Sequence, residues 1–521
     1  MAEKIKLFVN GVEVEVEAGK NLIDAIGAVG IEIPHLCYHP ALGADGNCRM
    51  CLVGIEDGRP PLVPACKTPA QSGMKVLLDA AHIKKIQHDV MEFELINHPT
   101  DCPICDQAGE CKLQDYYMTY GGQPSRMTVP QVQKNKKLDF GCGVVHDQER
   151  CVTCGRCVRF CRQITKTGEL GIINRTDDAR VNIFPGRPLN NRYALNVVDL
   201  CPVGAMTSKD FRFQQRVWFL KKAPGICHGC SKGCNITIDH NQEKYKDDII
   251  YRFRPRLNPQ VNGYFICDAG RLSYKGENQG RLTEPRQSGQ ARSQDDVLAA
   301  AQQEIERAGD KTVILLSPDC SLEQMVTVKA LAAKLGCFLS GFSDGYREEG
   351  DGDDFLIQDD KSANRAGLKL LDIDCRREGF VQAMGEAQLF LNFNNELNRS
   401  LEEVELKNLL KGKKIVMAAS HDTPLTAMAD LAVPVATPSE YGGCLINCDN
   451  ILQSFAAAVR KKHEPMDIAT LAAELGSPLK NRAEQFAELS KYLSVLKDSK
   501  ADTLPAEGLK LTDSEAANVT A

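Results

Sequence analysis

The chain has 521 residues, of which 43% are hydrophobic and 25% are charged, and its formal net charge is -6. This length predicts about three or four domains of ordinary soluble composition. The nearly balanced charge argues against binding of nucleic acid or a membrane surface through overall charge. We find no apolar run long enough for a membrane span or a signal peptide, so we expect any membrane role to be that of a peripheral partner.

The cysteines indicate the class of protein. Seventeen of the 22 lie between Cys37 and Cys267, and five follow. A secreted disulfide scaffold would be short and would carry a signal peptide, whereas this sequence is long and we expect no such peptide. The repeated C-x-x-C spacings therefore favour metal ligands over disulfides.

Residues 1–80 predict a small β-grasp ferredoxin domain. Alternating apolar residues flank Asn10-Gly11, which predicts a hairpin, and residues 21–30 predict a short helix. The candidate ligands that follow are Cys37, Cys48, Cys51 and Cys66. Four thiolates around two irons would make a 2Fe–2S centre. Because the spacing differs from the plant-type C-x4-C-x2-C, a zinc loop is the alternative.

The next stretch carries one histidine and three cysteines. Helical periodicity over residues 79–97 leads into it, and we expect His82 and His88 to be surface residues of that helix. The candidate ligands are His98, Cys102, Cys105 and Cys111. Zinc and iron–sulfur clusters both accept this donor set, so the stretch alone leaves both open.

A third group follows the spacing C-x2-C-x2-C. Three ligands this close together cap one face of a four-iron cube more readily than they surround zinc. In two-cluster ferredoxins the fourth ligand is a distant cysteine followed by proline, which here is Cys201. We predict a 4Fe–4S centre whose ligands are Cys151, Cys154, Cys157 and Cys201.

The second cluster of such a ferredoxin is predicted to be missing. Counting back from Cys201, its other ligands would stand where the chain has Asn191, Ala194 and Val197. Cys161 is then left without a cluster, and we expect it to be a small buried apolar side chain.

Four arginines surround this motif, namely Arg150, Arg156, Arg159 and Arg162. Cations beside an anionic cluster would favour its reduced form. A solvated helix face explains any single one of them equally well, so both explanations stay open.

A fourth group begins with CHGCSKGC and is completed by a cysteine that follows after thirty-two intervening residues. Its candidate ligands are Cys227, Cys230, Cys234 and Cys267. They predict a further four-iron centre, with a four-cysteine zinc site as the alternative. Between them, residues 249–253 predict a strand and Asn262-Gly263 predicts a turn.

The chain beyond residue 290 has an α/β pattern. Apolar runs at residues 312–317, 389–394 and 414–419 alternate with amphipathic helical stretches, which predicts a parallel sheet. We find no dinucleotide fingerprint or P-loop. The polar tail from Asp498 is expected to be mobile. We assign no ligand role to Cys142, Cys444 or Cys448.

Three motifs resemble signatures of the large iron–sulfur subunit of respiratory complex I, the family of the mitochondrial 75-kDa subunit and its bacterial counterpart. They are PHLCYHPALGADGNCRMC, CPICDQAGECKLQ and RCVTCGRCVRF, with Ala108 where the family usually has Gly or Ser. The resemblance implies 4Fe–4S clusters at the His98 and Cys227 groups. It also implies a reduced molybdopterin-oxidoreductase-like domain without molybdopterin, because Ala269 replaces the usual lysine.

The expected fold is multidomain, α+β in the iron–sulfur part and α/β beyond it. The expected domains are a 2Fe–2S ferredoxin domain (1–80), a histidine-and-cysteine-ligated 4Fe–4S domain (81–120), a 4Fe–4S ferredoxin-like domain (121–222), a 4Fe–4S domain of the molybdopterin-oxidoreductase type (223–285), a truncated molybdopterin-oxidoreductase-like α/β domain (286–497) and a polar tail (498–521). The expected cofactors are one 2Fe–2S cluster and three 4Fe–4S clusters.

The resemblance implies an electron-transfer subunit of NADH:quinone oxidoreductase without a catalytic site of its own. The implied partners are the flavin-bearing NADH-binding subunit, a thioredoxin-like 2Fe–2S subunit, a ferredoxin-like subunit with two 4Fe–4S clusters and the quinone-site subunits, with no nucleic acid. The implied location is the cytoplasmic side of a bacterial inner membrane. The alternatives are a subunit of a soluble NAD-linked hydrogenase or formate dehydrogenase, and a multi-zinc scaffold.

Overall fold

The computed structural model describes residues 3–56, 58, 61–122, 124–243, 246–461, 463–497 and 504–520. Its contacts divide the chain into two compact units, Met1–Leu220 and Lys221–Ala521. The first three candidate ligand sets lie in the first unit and the fourth lies in the second. Within these described ranges, no helix is both long and apolar enough to cross a membrane.

The first unit contains ten strands and five α-helices among its described residues. They are β1 (Lys4–Val9), β2 (Val12–Glu17), α1 (Leu22–Ala28), β3 (Leu52–Ile55), β4 (Leu62–Pro64), β5 (Lys75–Leu77), α2 (Ala81–Leu95), α3 (Lys112–Tyr120), β6 (Leu138–Gly141), β7 (Val144–His146), α4 (Arg156–Arg159), β8 (Leu170–Ile173), β9 (Arg180–Ile183), α5 (Asn196–Leu200) and β10 (Met206–Ser208).

The predicted hairpin and helix at the start of the chain are confirmed. Strands β1 and β2 pair antiparallel, and Asn10 and Gly11 between them have φ of 49° and 82°, as a tight hairpin turn requires. The sheet has the order β2-β1-β5-β3-β4, in which β1 and β5 are parallel. Helix α1 buries Leu22 and Ile26 against this sheet.

The rest of the first unit has little regular structure. Strands β6, β7 and β10 form a small sheet, and β8 pairs with β9. Helix α4 has only four residues and continues into a π-helical turn, Phe160–Ile164. With so few ladder hydrogen bonds, side chains have a larger part in fixing the ligand loops.

The second unit contains thirteen strands and eleven α-helices among its described residues. They are β11 (Lys221–Ile226), β12 (Asn235–Gln242), β13 (Asp248–Pro255), α6 (Asp268–Leu272), α7 (Tyr274–Asn278), β14 (Arg286–Gln287), β15 (Gln290–Ala291), α8 (Gln294–Ala308), β16 (Thr312–Leu316), α9 (Leu322–Leu335), β17 (Phe338–Ser340), α10 (Arg365–Leu370), α11 (Arg377–Glu386), β18 (Leu389–Phe393), α12 (Glu403–Leu410), β19 (Lys414–Ala419), α13 (Pro424–Ala427), β20 (Leu431–Pro434), β21 (Gly443–Ile446), β22 (Ile451–Phe455), α14 (Ile468–Glu474), α15 (Arg482–Leu489), β23 (Leu509–Lys510) and α16 (Asp513–Thr520).

The predicted parallel sheet is confirmed. Seven strands follow the order β15-β14-β20-β19-β18-β16-β17. Strands β16 to β20 pair parallel with one another, whereas β14 pairs antiparallel with β20 and with β15. Every residue of β16 and of β18 is buried, as expected for parallel strands covered on both faces. The strand predicted at residues 249–253 lies within β13, in a separate antiparallel sheet with β11 and β12.

The prediction of a mobile tail is wrong for residues 504–520. Strand β23 pairs with β22, and Leu504, Leu511 and Val519 are buried in the main core of the second unit. Glu515 accepts hydrogen bonds from the Ser494 backbone N–H at 2.7 Å and its hydroxyl at 2.8 Å. The polar composition of this segment predicts mobility, but composition does not show that its few apolar side chains pack into the core of the second unit. Residues 498–503 and 521 lie outside the described part of the chain.

Candidate metal centres

The first four candidate cysteines converge. Cys37 Sγ lies 3.5 Å from Cys48 Sγ, and Cys66 contacts both Cys37 and Cys51. Hydrogen bonds from Cys48 and Cys66 hold the pKa of the Cys37 thiol well below its ordinary value. The Leu36 backbone N–H donates to Cys48 Sγ at 3.5 Å. Four adjacent thiols with an amide donor suit a two-iron centre.

The histidine-containing set lines one cavity of about 590 Å³. All four candidate ligands are among the residues that line it, namely His98, Cys102, Cys105 and Cys111. Cys102 is exposed, whereas Cys105 and Cys111 are buried. Arg216 donates to the carbonyl of Cys105 at 2.8 Å and to that of Pro103, which fixes the ligand loop from outside the cavity.

The histidine of this set is suited to binding metal. Burial lowers the pKa of His98 to about 4, because desolvation disfavours the charged imidazolium. Its Nδ1 atom is buried and has no hydrogen-bond partner among the described residues. A neutral imidazole is the form that binds a metal, so the chemistry of this side chain fits a ligand role.

One histidine was misjudged from the sequence. His82 is exposed, as predicted. The same prediction is wrong for His88, which is half-buried and lines the same cavity as His98. Its Nδ1 is buried without a hydrogen-bond partner among the described residues. The helical periodicity predicts that the face carrying Ile83 and Met91 is buried. It gives no sign that the neighbouring position, His88, lines a cavity.

The third set surrounds a cavity of about 20 Å³. Its four cysteines all line that cavity, namely Cys151, Cys154, Cys157 and Cys201. Burial raises the pKa of the Cys154 thiol to about 12, and the Thr153 backbone N–H donates to Cys151 Sγ at 3.4 Å. Because such thiols must lose protons to bind iron, cluster loading at this site is coupled to proton release.

Cys161 lies apart from this cavity. Its side chain is 0% exposed, which confirms the prediction that it is buried. Burial raises the pKa of its thiol to about 12. The cavity is lined instead by Cys201, the distant cysteine before Pro202.

Three of the four arginines around the third set do not belong to a solvated helix face. Arg150 and Arg156 are 5% and 8% exposed, and Arg150 donates to Asp101 at 2.7 Å and 3.2 Å. Arg159 donates to backbone carbonyls. Only Arg162 of the four is exposed, so the solvated-face explanation holds for Arg162 alone.

The fourth set lies in the second unit. It comprises Cys227, Cys230, Cys234 and Cys267. The Gly229 backbone N–H donates to Cys227 Sγ at 3.4 Å, and the Gly270 N–H donates to Cys267 Sγ at 3.2 Å. Burial raises the pKa of the Cys234 thiol, and the neighbouring charges of the other three cysteines raise it further. Main-chain donors thus approach these thiols as well.

Two glycines show that backbone wraps the thiols closely. A Cβ at Gly204 would lie 2.2 Å from Cys105 Sγ, and one at Gly270 would lie 2.9 Å from Cys227 Sγ and 3.3 Å from Cys267 Sγ. At the two distances under 3.0 Å, a side chain larger than that of glycine would force the thiol or the backbone to shift, and such close approach suits a cluster surrounded by main chain. Sequence reasoning missed Gly204, although its position shortly after Cys201-Pro202 was a usable signal.

Replacing Gly204 with alanine is expected to displace Cys105 and remove the cluster of the His98 set. Iron content should fall by about four atoms per chain, together with one EPR signal. Gly27→Ala is the matched control, because nothing lies within 4 Å of its added Cβ in helix α1. Full iron content with unchanged EPR in Gly204→Ala would contradict the assignment.

In the part of the chain that the structure describes, no group of three or more His, Cys, Asp or Glu side chains is arranged to hold a single metal ion. The four sets are recognised instead by shared cavities, thiol contacts and amide donors.

Three family models match the first unit. The "2Fe-2S iron-sulfur cluster binding domain" covers residues 2–80. The "NADH-ubiquinone oxidoreductase-G iron-sulfur binding region" covers residues 87–126. The "NADH-quinone oxidoreductase subunit 3, ferredoxin-like domain" covers residues 141–207. Each range contains one of the first three ligand sets.

Several curated relatives match across this region. The NADH-ubiquinone oxidoreductase 75 kDa subunit of Reclinomonas americana is 40% identical over 281 residues, which is 54% of this chain and 40% of the relative. The G subunit of the NADH-quinone oxidoreductase of Rickettsia bellii is 36% identical over 338 residues, which is 64% of this chain and 49% of the relative. The matched part thus spans under half the length of these relatives.

A solved structure of an NAD+-reducing [NiFe]-hydrogenase in the H2-reduced state is 25% identical, with a TM-score of 0.37, over 41% of this chain and 91% of that chain. The family models and curated relatives confirm the resemblance seen in the cysteine motifs. Over its iron–sulfur-binding part, the chain is similar to the NADH-quinone oxidoreductase G subunit and the NADH-ubiquinone oxidoreductase 75 kDa subunit.

Proposed function

We propose that the chain is the iron–sulfur electron-transfer subunit of an NADH:quinone oxidoreductase. It would relay electrons from a flavin-bearing, NADH-oxidising subunit toward quinone. One observation carries this proposal, namely that a single buried apolar cluster in the first unit includes members of all three ligand sets found there. Those members are Cys37, Cys48, Cys111 and Cys154, with Cys151 and Cys201 packed against them. Electron tunnelling needs centres that are close together in a dry medium, and this cluster supplies both conditions.

The chain's own residues have three tasks in this proposal. Thiols and the His98 imidazole ligate the iron, apolar side chains exclude water, and backbone N–H groups stabilise negative charge on sulfur. The clusters, when bound, supply one-electron transfer. No general acid, base or nucleophile is assigned.

The named relatives support this choice over the alternatives. They are subunits of NADH-quinone and NADH-ubiquinone oxidoreductases, which favours a quinone-directed chain over a soluble hydrogenase or formate dehydrogenase. The family models name iron–sulfur binding, which disfavours a zinc scaffold. We propose as partners the flavin subunit, the thioredoxin-like 2Fe–2S subunit, the ferredoxin-like subunit with two 4Fe–4S clusters and the quinone-site subunits, at the cytoplasmic side of a bacterial inner membrane.

For the second unit we propose a third 4Fe–4S cluster at the Cys227–Cys267 set. The close approach of Gly270 to Cys227 and Cys267 supports it. The parallel sheet that follows is proposed to be a reduced molybdopterin-oxidoreductase-like domain, and Ala269 disfavours a bound molybdopterin. The domain boundaries expected at residues 80, 120, 222 and 285 are proposed with this assignment, whereas the boundary expected at 497 is dropped because residues 504–520 belong to the core of the second unit.

Metal analysis of the chain, purified anaerobically and separated from the cluster-bearing partner subunits, tests the proposal. We expect about fourteen irons per chain when all four sets are filled. A count of about ten irons would show that the fourth set holds no cluster, and zinc with negligible iron would overturn the proposed function. The copurifying subunits provide the second readout, since a quinone-reducing partner is expected and a hydrogen-activating partner would favour the alternative.

A further inference from the structure

Arg159, two residues after the ligand Cys157, reaches the ligand loop of the first set. One terminal nitrogen of its guanidinium donates to the carbonyl of Cys37. The other donates to the carbonyls of Leu42 at 3.0 Å and Gly43 at 2.8 Å. A single side chain beside the third set therefore binds three carbonyl groups of the two-iron loop, and one of them belongs to the ligand Cys37.

Arg156 connects the first and third ligand sets. In each set it binds the residue next to one of the ligands. One terminal nitrogen donates to the carbonyl of Tyr38, and the other donates to the carbonyl of Leu200 at 3.2 Å. Tyr38 follows Cys37 directly, and Leu200 precedes Cys201 directly. The guanidinium is therefore a two-ended bridge between the two candidate centres.

A third, uncharged contact joins the same two loops. Asn47 Nδ2 donates to the carbonyl of Thr153 at 3.0 Å. Asn47 precedes the ligand Cys48, and Thr153 precedes the ligand Cys154. The two ligand loops are thus in direct contact beside their cysteines.

Ordinary packing does not account for the arginines. The Nε atoms of Arg156 and Arg159 are buried and have no hydrogen-bond partner among the described residues. A buried donor without a partner is destabilising, and burial of Arg156 also takes its positive charge out of water at a cost in free energy. Arg156 also lines the cavity of the third set. An anionic cluster in that cavity would offset both costs.

We propose that Arg156 and Arg159 are positioning residues that fix the ligand loop of the two-iron centre against the ligand helix of the adjacent four-iron centre. The inference rests on the proposed function, because both sets must hold clusters. The two-iron loop has almost no ladder hydrogen bonds of its own, so the rigid donor fork of arginine sets its place. Two positive charges beside two anionic centres also stabilise their reduced states.

The test compares Arg156→Met, Arg156→Lys, Arg159→Met and Arg159→Lys in the parent complex, with Arg162→Met as control. Arg162 lies on the same motif but is exposed, so its replacement removes the same charge without touching the loop. Iron content is measured first. Pulsed EPR then reports the magnetic interaction between the two reduced centres, and a redox titration reports their midpoint potentials.

In both Met variants we expect a weaker magnetic interaction and lower midpoint potentials of these two centres, with the other centres unchanged. The Lys variants should keep potentials close to those of the unaltered protein, because the charge remains. Their magnetic interaction should still weaken, because an ammonium group cannot reproduce the geometry of the guanidinium. Arg162→Met should change neither quantity.

If the Met variants lose their clusters, the Lys variants test the positioning role, because a weaker magnetic interaction between the two centres is expected in them. Iron-loaded variants with an unchanged interaction and unchanged potentials would overturn this inference and leave the proposed function standing. Zinc in place of iron in the unaltered protein would overturn both.

Discussion

Cys201→Ala is expected to remove the four-iron centre that it would complete with Cys151, Cys154 and Cys157. Iron content should fall by about four atoms per chain, and one EPR signal should disappear. Under the proposed function, NADH-to-quinone electron transfer in the parent complex should drop to background. The reason is geometric. All four of these thiols line the same small cavity, and Cys161 does not line it.

Cys161→Ala is the matched control, since it makes the same chemical change at a buried cysteine 0% exposed. It should keep the full iron content and every EPR signal. It should cost only about 1 kcal/mol of folding free energy, typical of a small cavity in a core. The reverse pattern, with iron lost from Cys161→Ala and kept in Cys201→Ala, would refute the assignment of Cys201, the cysteine before Pro202, as the fourth ligand.

His98→Cys is expected to lower the midpoint potential of its centre by on the order of 100 mV. A thiolate in place of neutral imidazole adds one negative charge to the cluster, which favours the oxidised state. His98 is positioned for ligation as a neutral side chain, because burial lowers its pKa to about 4. Redox-titrated EPR of the anaerobic protein measures the change.

The other centres of the same sample serve as the internal control for His98→Cys. Their midpoint potentials should stay where they are, because their ligands are unaltered. An unchanged potential for the centre of Cys102, Cys105 and Cys111, with its iron retained, would show that His98 is not a ligand.

The predictable part of the fold consists of elements with local signals. Asn10-Gly11 marked the first hairpin, and the apolar runs at residues 312–317, 389–394 and 414–419 marked three parallel strands. The segment 504–520 carried no such signal. Leu511 and Val519 are far apart in a polar stretch, and their burial depends on the core that they meet.

The candidate ligands were predictable for a similar reason, since short cysteine spacings report on local geometry. The roles of the arginines were not. Arg156 is buried because it meets the carbonyl of Tyr38, 118 residues earlier in the chain. Gly204 matters because Cys105 comes against it. Such pairings depend on how distant loops fold together, which residue spacing along the chain does not encode.

The packing of residues 504–520 into the second unit has a consequence for biosynthesis. The first unit ends at Leu220, so it can fold as soon as it leaves the ribosome. The core of the second unit is complete only after Leu511 and Val519 have been made. Translation of the roughly 300 residues between takes roughly 15 to 60 s at ordinary rates. Metal insertion into the three N-terminal sets can therefore precede completion of the C-terminal core.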